Sequence, residues 1–160
     1  MEKIGVYPGS FDPITNGHMD VLKRSLEVFD RVILLLAVNP RKKSVFSVEE
    51  RLSMMKEATK GMQGVTVDAT DGLTVDYCLS HDSHHIIRGL RAVTDFEYEF
   101  QLAAANRFAG PGVDMVFFMS GSSTAFISSS AINEMEASGV DISPLVPDVV
   151  AKHYAARKEK

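Results

Sequence analysis

The residues best suited to chemistry are a histidine, a lysine, two arginines and a run of serines, each in a short loop-like segment. The sharpest segment is Tyr7-Pro8-Gly9-Ser10-Phe11-Asp12-Pro13-Ile14-Thr15-Asn16-Gly17-His18. Two prolines and two glycines make it a stiff, sharply turning stretch. Thr15 or Asn16 can cap the helix that follows, which places Gly17 and His18 in its first turn. A helix N-terminus presents free N–H groups and a partial positive charge, a setting that favours phosphate. His18 adds a donor able to reach a phosphate oxygen. No Gly-Lys-Ser/Thr follows a glycine-rich loop, so this is not the P-loop arrangement. Taken alone, a Gly-His pair is equally compatible with an ordinary strand–turn–helix; the whole stretch is more specific.

Further groups suit the same ligand. Arg41, Lys42 and Lys43 follow the apolar run Val32 to Val38, and Ile86-Ile87-Arg88-Gly89-Leu90-Arg91 joins two arginines to a glycine through which backbone can approach a ligand. Arginine meets phosphate with two parallel N–H bonds, which lysine does not. Phe126-Ile127-Ser128-Ser129-Ser130 brings hydroxyl and N–H donors into a helix start. Asp95, Glu97 and Glu99 open a helix, where acidic residues are explained by the dipole alone. Phe96 and Phe100, one turn apart, are expected in the core. His81, His84 and His85 resemble a metal cluster at first sight. However, His84 and His85 point oppositely if both lie on a strand, and no carboxylate or cysteine set completes a site.

These groups need a scaffold. Ile4 to Tyr7, Val32 to Val38, Val65 to Val67, His85 to Ile87 and Met115 to Met119 read as strands, several buried on both faces. Gly17 to Phe29, Val48 to Lys60, Val75 to Ser80, Phe96 to Phe108, Ser129 to Ala137 and Val149 to Arg157 read as helices. Ser47 and Glu50 form a capping-box pair, and Gly61 stands where a helix-ending glycine belongs. Alternation of this kind predicts an α/β fold, a doubly wound, five-stranded parallel sheet with ligands beyond the carboxyl ends of its strands. No repeat or linker interrupts residues 1–160, which read as one domain, and the tail Arg157-Lys158-Glu159-Lys160 is expected to fray.

With 45% hydrophobic and 24% charged residues, the 160-residue chain can bury a core without staples. A net charge of -4 argues against a general nucleic-acid binder. One cysteine, Cys78, excludes an internal disulfide and suits a reducing, cytoplasmic compartment. No apolar run reaches membrane-span length, and the N-terminus lacks the pattern of a signal peptide.

Thr15-Asn16-Gly17-His18 resembles the T/HxGH signature of the nucleotidyltransferase superfamily, in which the histidine contacts ATP phosphates and stabilises the transition state. The stretch Arg88 to Glu99 closely resembles that of the bacterial phosphopantetheine adenylyltransferases, and Ile127 to Ser130 resembles the superfamily's ISSS/T element. The blocks follow in the expected order over nearly the whole chain. The resemblance implies a Rossmann-like nucleotidyltransferase fold and transfer of AMP from ATP to 4'-phosphopantetheine, giving dephospho-coenzyme A and pyrophosphate. It implies catalytic roles for His18, Lys42 and Arg91. It places ATP on Ser10, Phe11, His18, Gly89, Leu90, Arg91, Glu99, Thr124, Ala125, Phe126, Ile127, Ser128, Ser129 and Ser130. It places the acceptor on Ser10, Lys42, Thr74 and Arg88. Mg2+ arriving with ATP, a homohexamer, and feedback inhibition by coenzyme A are further implications; no protein metal site is. Thr74, Thr124-Ala125 and Asn133 depart from the family pattern.

Such a reaction needs no general base, because the attacking phosphate is already anionic. It needs two mutually repelling polyanions aligned, with donors aimed at transition-state charge. Rival readings are a relative acting on nicotinate mononucleotide or glycerol 3-phosphate, and a non-catalytic nucleotide sensor. The Arg88 to Glu99 block favours pantetheine.

Overall fold

The computed structural model describes residues 1–160. Five parallel strands, β1 (Ile4–Gly9), β2 (Arg31–Ala37), β3 (Val65–Thr70), β4 (His85–Leu90) and β5 (Asp114–Met119), form one sheet in the order β3-β2-β1-β4-β5. Six helices alternate with or follow them: α1 (Asn16–Ser25), α2 (Val48–Ala58), α3 (Thr74–Ser80), α4 (Val93–Ala109), α5 (Ser129–Ala137) and α6 (Asp148–Lys158). A single 3-10 turn, Ser143–Leu145, precedes α6. None of the helices is long and apolar enough to cross a membrane.

The sheet is buried on both faces because side chains alternate along each strand. Val32, Leu34 and Leu36 of β2 join a large core with Met19 and Leu22 of α1, Met54 and Met55 of α2, Ile132 of α5 and Val150 of α6. Ile33 and Leu35 face the other way, into a smaller core with Val6, Ile86 and the α3 residues Val75 and Cys78. Burial raises the Cys78 thiol pKa to about 12, so it is an inert packing group.

Strand order reverses between β1 and β4, and that seam is loose. β1 pairs with β2 over six positions and β4 with β5 over six, but β1 meets β4 only at Gly5↔His85 and Val6↔Ile86. Beyond those two rungs the strands part, leaving the crevice expected at a topological switch point.

Three expectations are corrected. β1 runs on to Gly9 and β4 to Leu90, because Pro8 and Gly9 pair with β2 and Arg88 to Leu90 pair with β5. Arg88 and Gly89 are therefore strand residues. Phe96 and Phe100 are exposed: α4 buries only Glu99, and its aromatic residues point away from the sheet. The tail does not fray at Arg157, whose guanidinium lies 4.8 Å from the Phe46 ring centroid and donates to the Val45 carbonyl at 2.5 Å.

Candidate active site

The crevice between β1 and β4 is lined by Tyr7, Pro8, Gly9, Ser10, Thr15, Gly17, His18, Val21, Arg88, Gly89, Arg91, Asp95, Glu99, Ser120 and Ile127 to Ser130. Two helix N-termini, those of α1 and α5, open into it. Their approach is close: a Cβ on Gly17 would sit 3.4 Å from the Ile127 carbonyl oxygen. Unpaired N–H groups from both helices thus face one space, which is a setting for phosphate oxygens.

Thr15 is the residue that caps α1. Its hydroxyl accepts the His18 N–H at 3.3 Å, and its own N–H donates to Nδ1 of His18 at 3.0 Å. His18 thereby takes the place that glutamate or glutamine usually fills in a capping box. The consequence is chemical. With Nδ1 occupied as an acceptor, the proton of the neutral ring sits on Nε2, which leaves that atom as a donor. Desolvation first, then the charges of Arg91 and Arg88, lower the His18 pKa to about 3, so the ring is neutral at physiological pH. Phe11 backs it edge-on, with ring centroids 4.9 Å apart. Its backbone stands at φ 40, and its ring packs so close under Gly9 that a Cβ there would lie 3.0 Å away. Phe11 is buried, so its side chain supports His18 and does not line the crevice.

The opposite wall is ionic. Arg88 spans the parted strands: Nη1 donates to the Pro8 carbonyl at 3.2 Å, while Nε and Nη2 grip both oxygens of Glu99 at 2.5 to 3.1 Å. Burial acts to lower the Arg88 pKa, but the hydrogen bond and charge of Glu99 outweigh it and the net shift is upward. Arg91 pairs with Asp95 (3.4 Å) and donates to the Ile127 carbonyl at 3.3 Å, which ties α4 to the entry of α5. Burial, only partly offset by Arg88 and Arg91, raises the Tyr7 pKa, so its phenol stays protonated.

The serine run divides its work. Ser128 caps α5 by accepting the Ala131 N–H at 3.1 Å, Ser129 donates to the Pro13 carbonyl at 2.8 Å, and Ser130 is exposed. Ser10 is exposed, its carbonyl held by the buried Arg51 at 3.0 Å.

Of the residues singled out in the sequence, the fold brings Ser10, His18, Arg88, Gly89, Arg91, Glu99 and Ile127 to Ser130 together. It does not bring in the rest. Leu90 lies at the end of β4, and Thr124, Ala125 and Phe126 lie in the turn before α5, outside the lining. Thr74 begins α3, and Lys42 sits on the exposed loop after β2. Both follow carboxyl ends of strands, on the same edge of the sheet as the crevice. Arg51, which holds Ser10, has no distinguishing signal in the sequence, because its partner is set by packing between distant segments. The hold of Asp95 on Arg91 is local, one helical turn along the chain at the start of α4. His81, His84 and His85 do not converge, since His84 precedes β4 and contacts the Gly112 carbonyl while His85 packs on Phe29. No three His, Cys, Asp or Glu side chains gather anywhere in the chain in a way that could hold a metal ion.

Comparison with known proteins agrees with this geometry. Residues 6–135 match the cytidylyltransferase-like family model. The chain is 49% identical over 152 residues to the phosphopantetheine adenylyltransferase of Desulfatibacillum aliphaticivorans, covering 95% of this chain and 87% of that one. It is 50% identical over 150 residues to the phosphopantetheine adenylyltransferase of Syntrophus aciditrophicus, covering 94% and 91%. A solved structure titled a putative nicotinate-nucleotide adenylyltransferase from Vibrio parahaemolyticus superposes with a TM-score of 0.68 at 18% identity, covering 97% and 99%, and shares the fold. A crevice built from two helix N-termini, a neutral histidine and two arginines thus meets long relatives near half identity, and the chain belongs to the phosphopantetheine adenylyltransferases of the cytidylyltransferase-like family.

Proposed function

We propose that the crevice transfers the adenylyl group of ATP to 4'-phosphopantetheine, giving dephospho-coenzyme A and pyrophosphate, a step of coenzyme A biosynthesis. An acceptor phosphate oxygen attacks the α-phosphorus; that P–O bond forms as the bond to the β-phosphate bridging oxygen breaks, and pyrophosphate leaves with the electron pair. The single observation that carries this reading is the convergence of His18, Arg88, Arg91 and two helix N-termini on one space. His18, as an Nε2–H donor, suits the charge that grows on the α-phosphate oxygens. Because its pKa is low, it stabilises without transferring a proton. Arg91 and the N–H groups of Ser128 to Ser130 suit the triphosphate, with Gly89 letting it lie close to β4. Arg88 suits the acceptor, and Lys42 and Thr74 serve it from the same sheet edge.

Magnesium would be carried in on the ATP phosphates, where it would screen negative charge. The two carboxylates of the crevice, Asp95 and Glu99, are already engaged by Arg91 and Arg88, so the ion's remaining ligands would be water. Coenzyme A shares both halves with the reaction product, which supports inhibition at this crevice. The exposed aromatic face of α4, with Phe96, Tyr98, Phe100 and Phe108, supports self-association, and a homohexamer is the proposed state. One unpaired cysteine fits a cytoplasmic setting. The continuous sheet supports reading residues 1–160 as a single nucleotidyltransferase domain.

The test is pyrophosphate release from ATP with 4'-phosphopantetheine, nicotinate mononucleotide and glycerol 3-phosphate in turn. Turnover with the first acceptor at least about a hundredfold faster is expected, the scale set by a site built to pair polar groups of one substrate. Preference for either of the others would reassign the acceptor.

A further inference from the structure

We infer that Asp12 and Arg157 are positioning residues for the loop that carries Lys42. The inference rests on the acceptor-phosphate role given to Lys42 above. That loop leaves β2 and turns at once: Asn39 accepts the Arg41 N–H on its side chain at 3.0 Å and the Lys42 N–H on its carbonyl at 3.1 Å. Its far end is held by an acid from the first turn. The two oxygens of Asp12 accept the N–H groups of Val45 and Phe46 at 2.8 and 2.9 Å. Arg157, in the last turn of α6, then donates to the Val45 carbonyl from the other side and lies over the Phe46 ring. Asp12 is itself tied to α6, since its carbonyl accepts from Asn133 Nδ2 at 3.0 Å and Asn133 Oδ1 accepts the Tyr154 hydroxyl.

Lys42 closes the first of these anchors, and Lys43 and Ser44 lie between the two, with both lysine side chains exposed. Fixing a loop backbone before the ligand arrives removes the entropic cost of ordering it from the binding step. Asp12 is not among the residues that line the crevice, its carboxylate being engaged by Val45 and Phe46, and Arg157 lies in the last turn of α6. Neither is placed to touch a triphosphate held between α1 and α5. Their connection to the chemistry runs through the loop. Asn133 belongs to the same network: it bridges Asp12 and Tyr154 with an amide that donates on one side and accepts on the other.

The test is steady-state kinetics with ATP and 4'-phosphopantetheine varied separately, in Arg157→Ala, Arg157→Lys, Asp12→Asn, Lys42→Ala and the Lys42→Ala/Arg157→Ala pair, with thermal unfolding of each. Arg157→Ala and Asp12→Asn are expected to raise the KM for the acceptor on the order of tenfold, the scale of one lost hydrogen bond to a charged group. The KM for ATP should stay within about twofold, the limit for additivity at an uncoupled site. Arg157→Lys should recover part of the loss, and the double variant should be no worse than Lys42→Ala. A merely structural role would shift both KM values or only the unfolding temperature, and either result overturns the inference. Multiplying effects in the double variant do the same. If Lys42→Ala leaves the acceptor KM unchanged, the role of Lys42 falls and the inference with it. If Lys42→Ala raises that KM while Arg157→Ala and Asp12→Asn do not, the inference alone fails.

Discussion

Helix α1 has 10 residues and buries Met19, Val21, Leu22 and Ser25, whereas α4 has 17 and buries only Glu99. Each forms one wall of the same crevice. The first wall is anchored by apolar surface removed from water, and its histidine is backed by Phe11 and fixed by a helix cap. The second is anchored by ion pairs, Arg88 with Glu99 and Arg91 with Asp95, while its aromatic side chains face outward. Apolar packing is indifferent to charge and cheap to hold in one geometry. A buried ion pair is unforgiving, because each partner removed strands the other in a poorly solvated place. The histidine is thus held on a wall that tolerates electrostatic change, and the two arginines on a wall that responds to it.

Breaking the ionic wall has the largest expected effect. Glu99→Leu leaves Arg88 unpaired and should cost about 3–5 kcal/mol of stability in urea unfolding. Adding Arg88→Met should restore most of that loss while leaving the protein inactive. A cost below about 1 kcal/mol, the worth of an exposed pair, would mean that α4 is held by something other than Glu99.

On the apolar wall, His18→Ala should lower kcat on the order of a hundredfold, as for a lost transition-state donor, with only about 1 kcal/mol lost from the helix cap. Pyrophosphate release at saturating substrates measures the first, and thermal unfolding the second. The same residue sharpens the comparison through pH. In the unfolded chain His18 takes up a proton below about 6.5, whereas in the folded, ligand-free protein it does so only near 3. Its contribution to stability is therefore complete above about pH 6.5 and is lost progressively as pH falls toward 3. His18→Gln should show a shallower decline over that window, and an identical slope would disprove the depressed pKa.

The smallest effect on the isolated chain is expected at the outer face of α4. Phe100→Ser with Phe108→Ser should change intrinsic stability by under about 0.5 kcal/mol, as for solvent-facing positions, yet shift the protein to smaller species in sedimentation velocity. Unaltered sedimentation would show that this face is not where copies meet.

Much of the fold is legible in the amino-acid sequence. Strands such as Val32 to Val38 announce themselves by apolar runs, and Ser47 with Glu50 announces a helix start, because both signals are local. The same local signal narrows the cap of α1 to Thr15 or Asn16, and Thr15 takes the position. Phe96 and Phe100 misled because helical spacing of aromatic residues reports that a face is apolar, without reporting whether that face meets the sheet or looks outward.

The amino-acid order determined the alternation of strand and helix, the parallel sheet that follows from it, and the chemical character of each loop, since these depend on neighbours within a few residues. Tertiary structure alone decided that β1 and β4 separate after two rungs, that Glu99 closes on Arg88, and that Asp12 reaches Val45 and Phe46. Those outcomes are contacts between segments distant along the chain. Their geometry is set by how whole elements pack, which no short window of residues encodes.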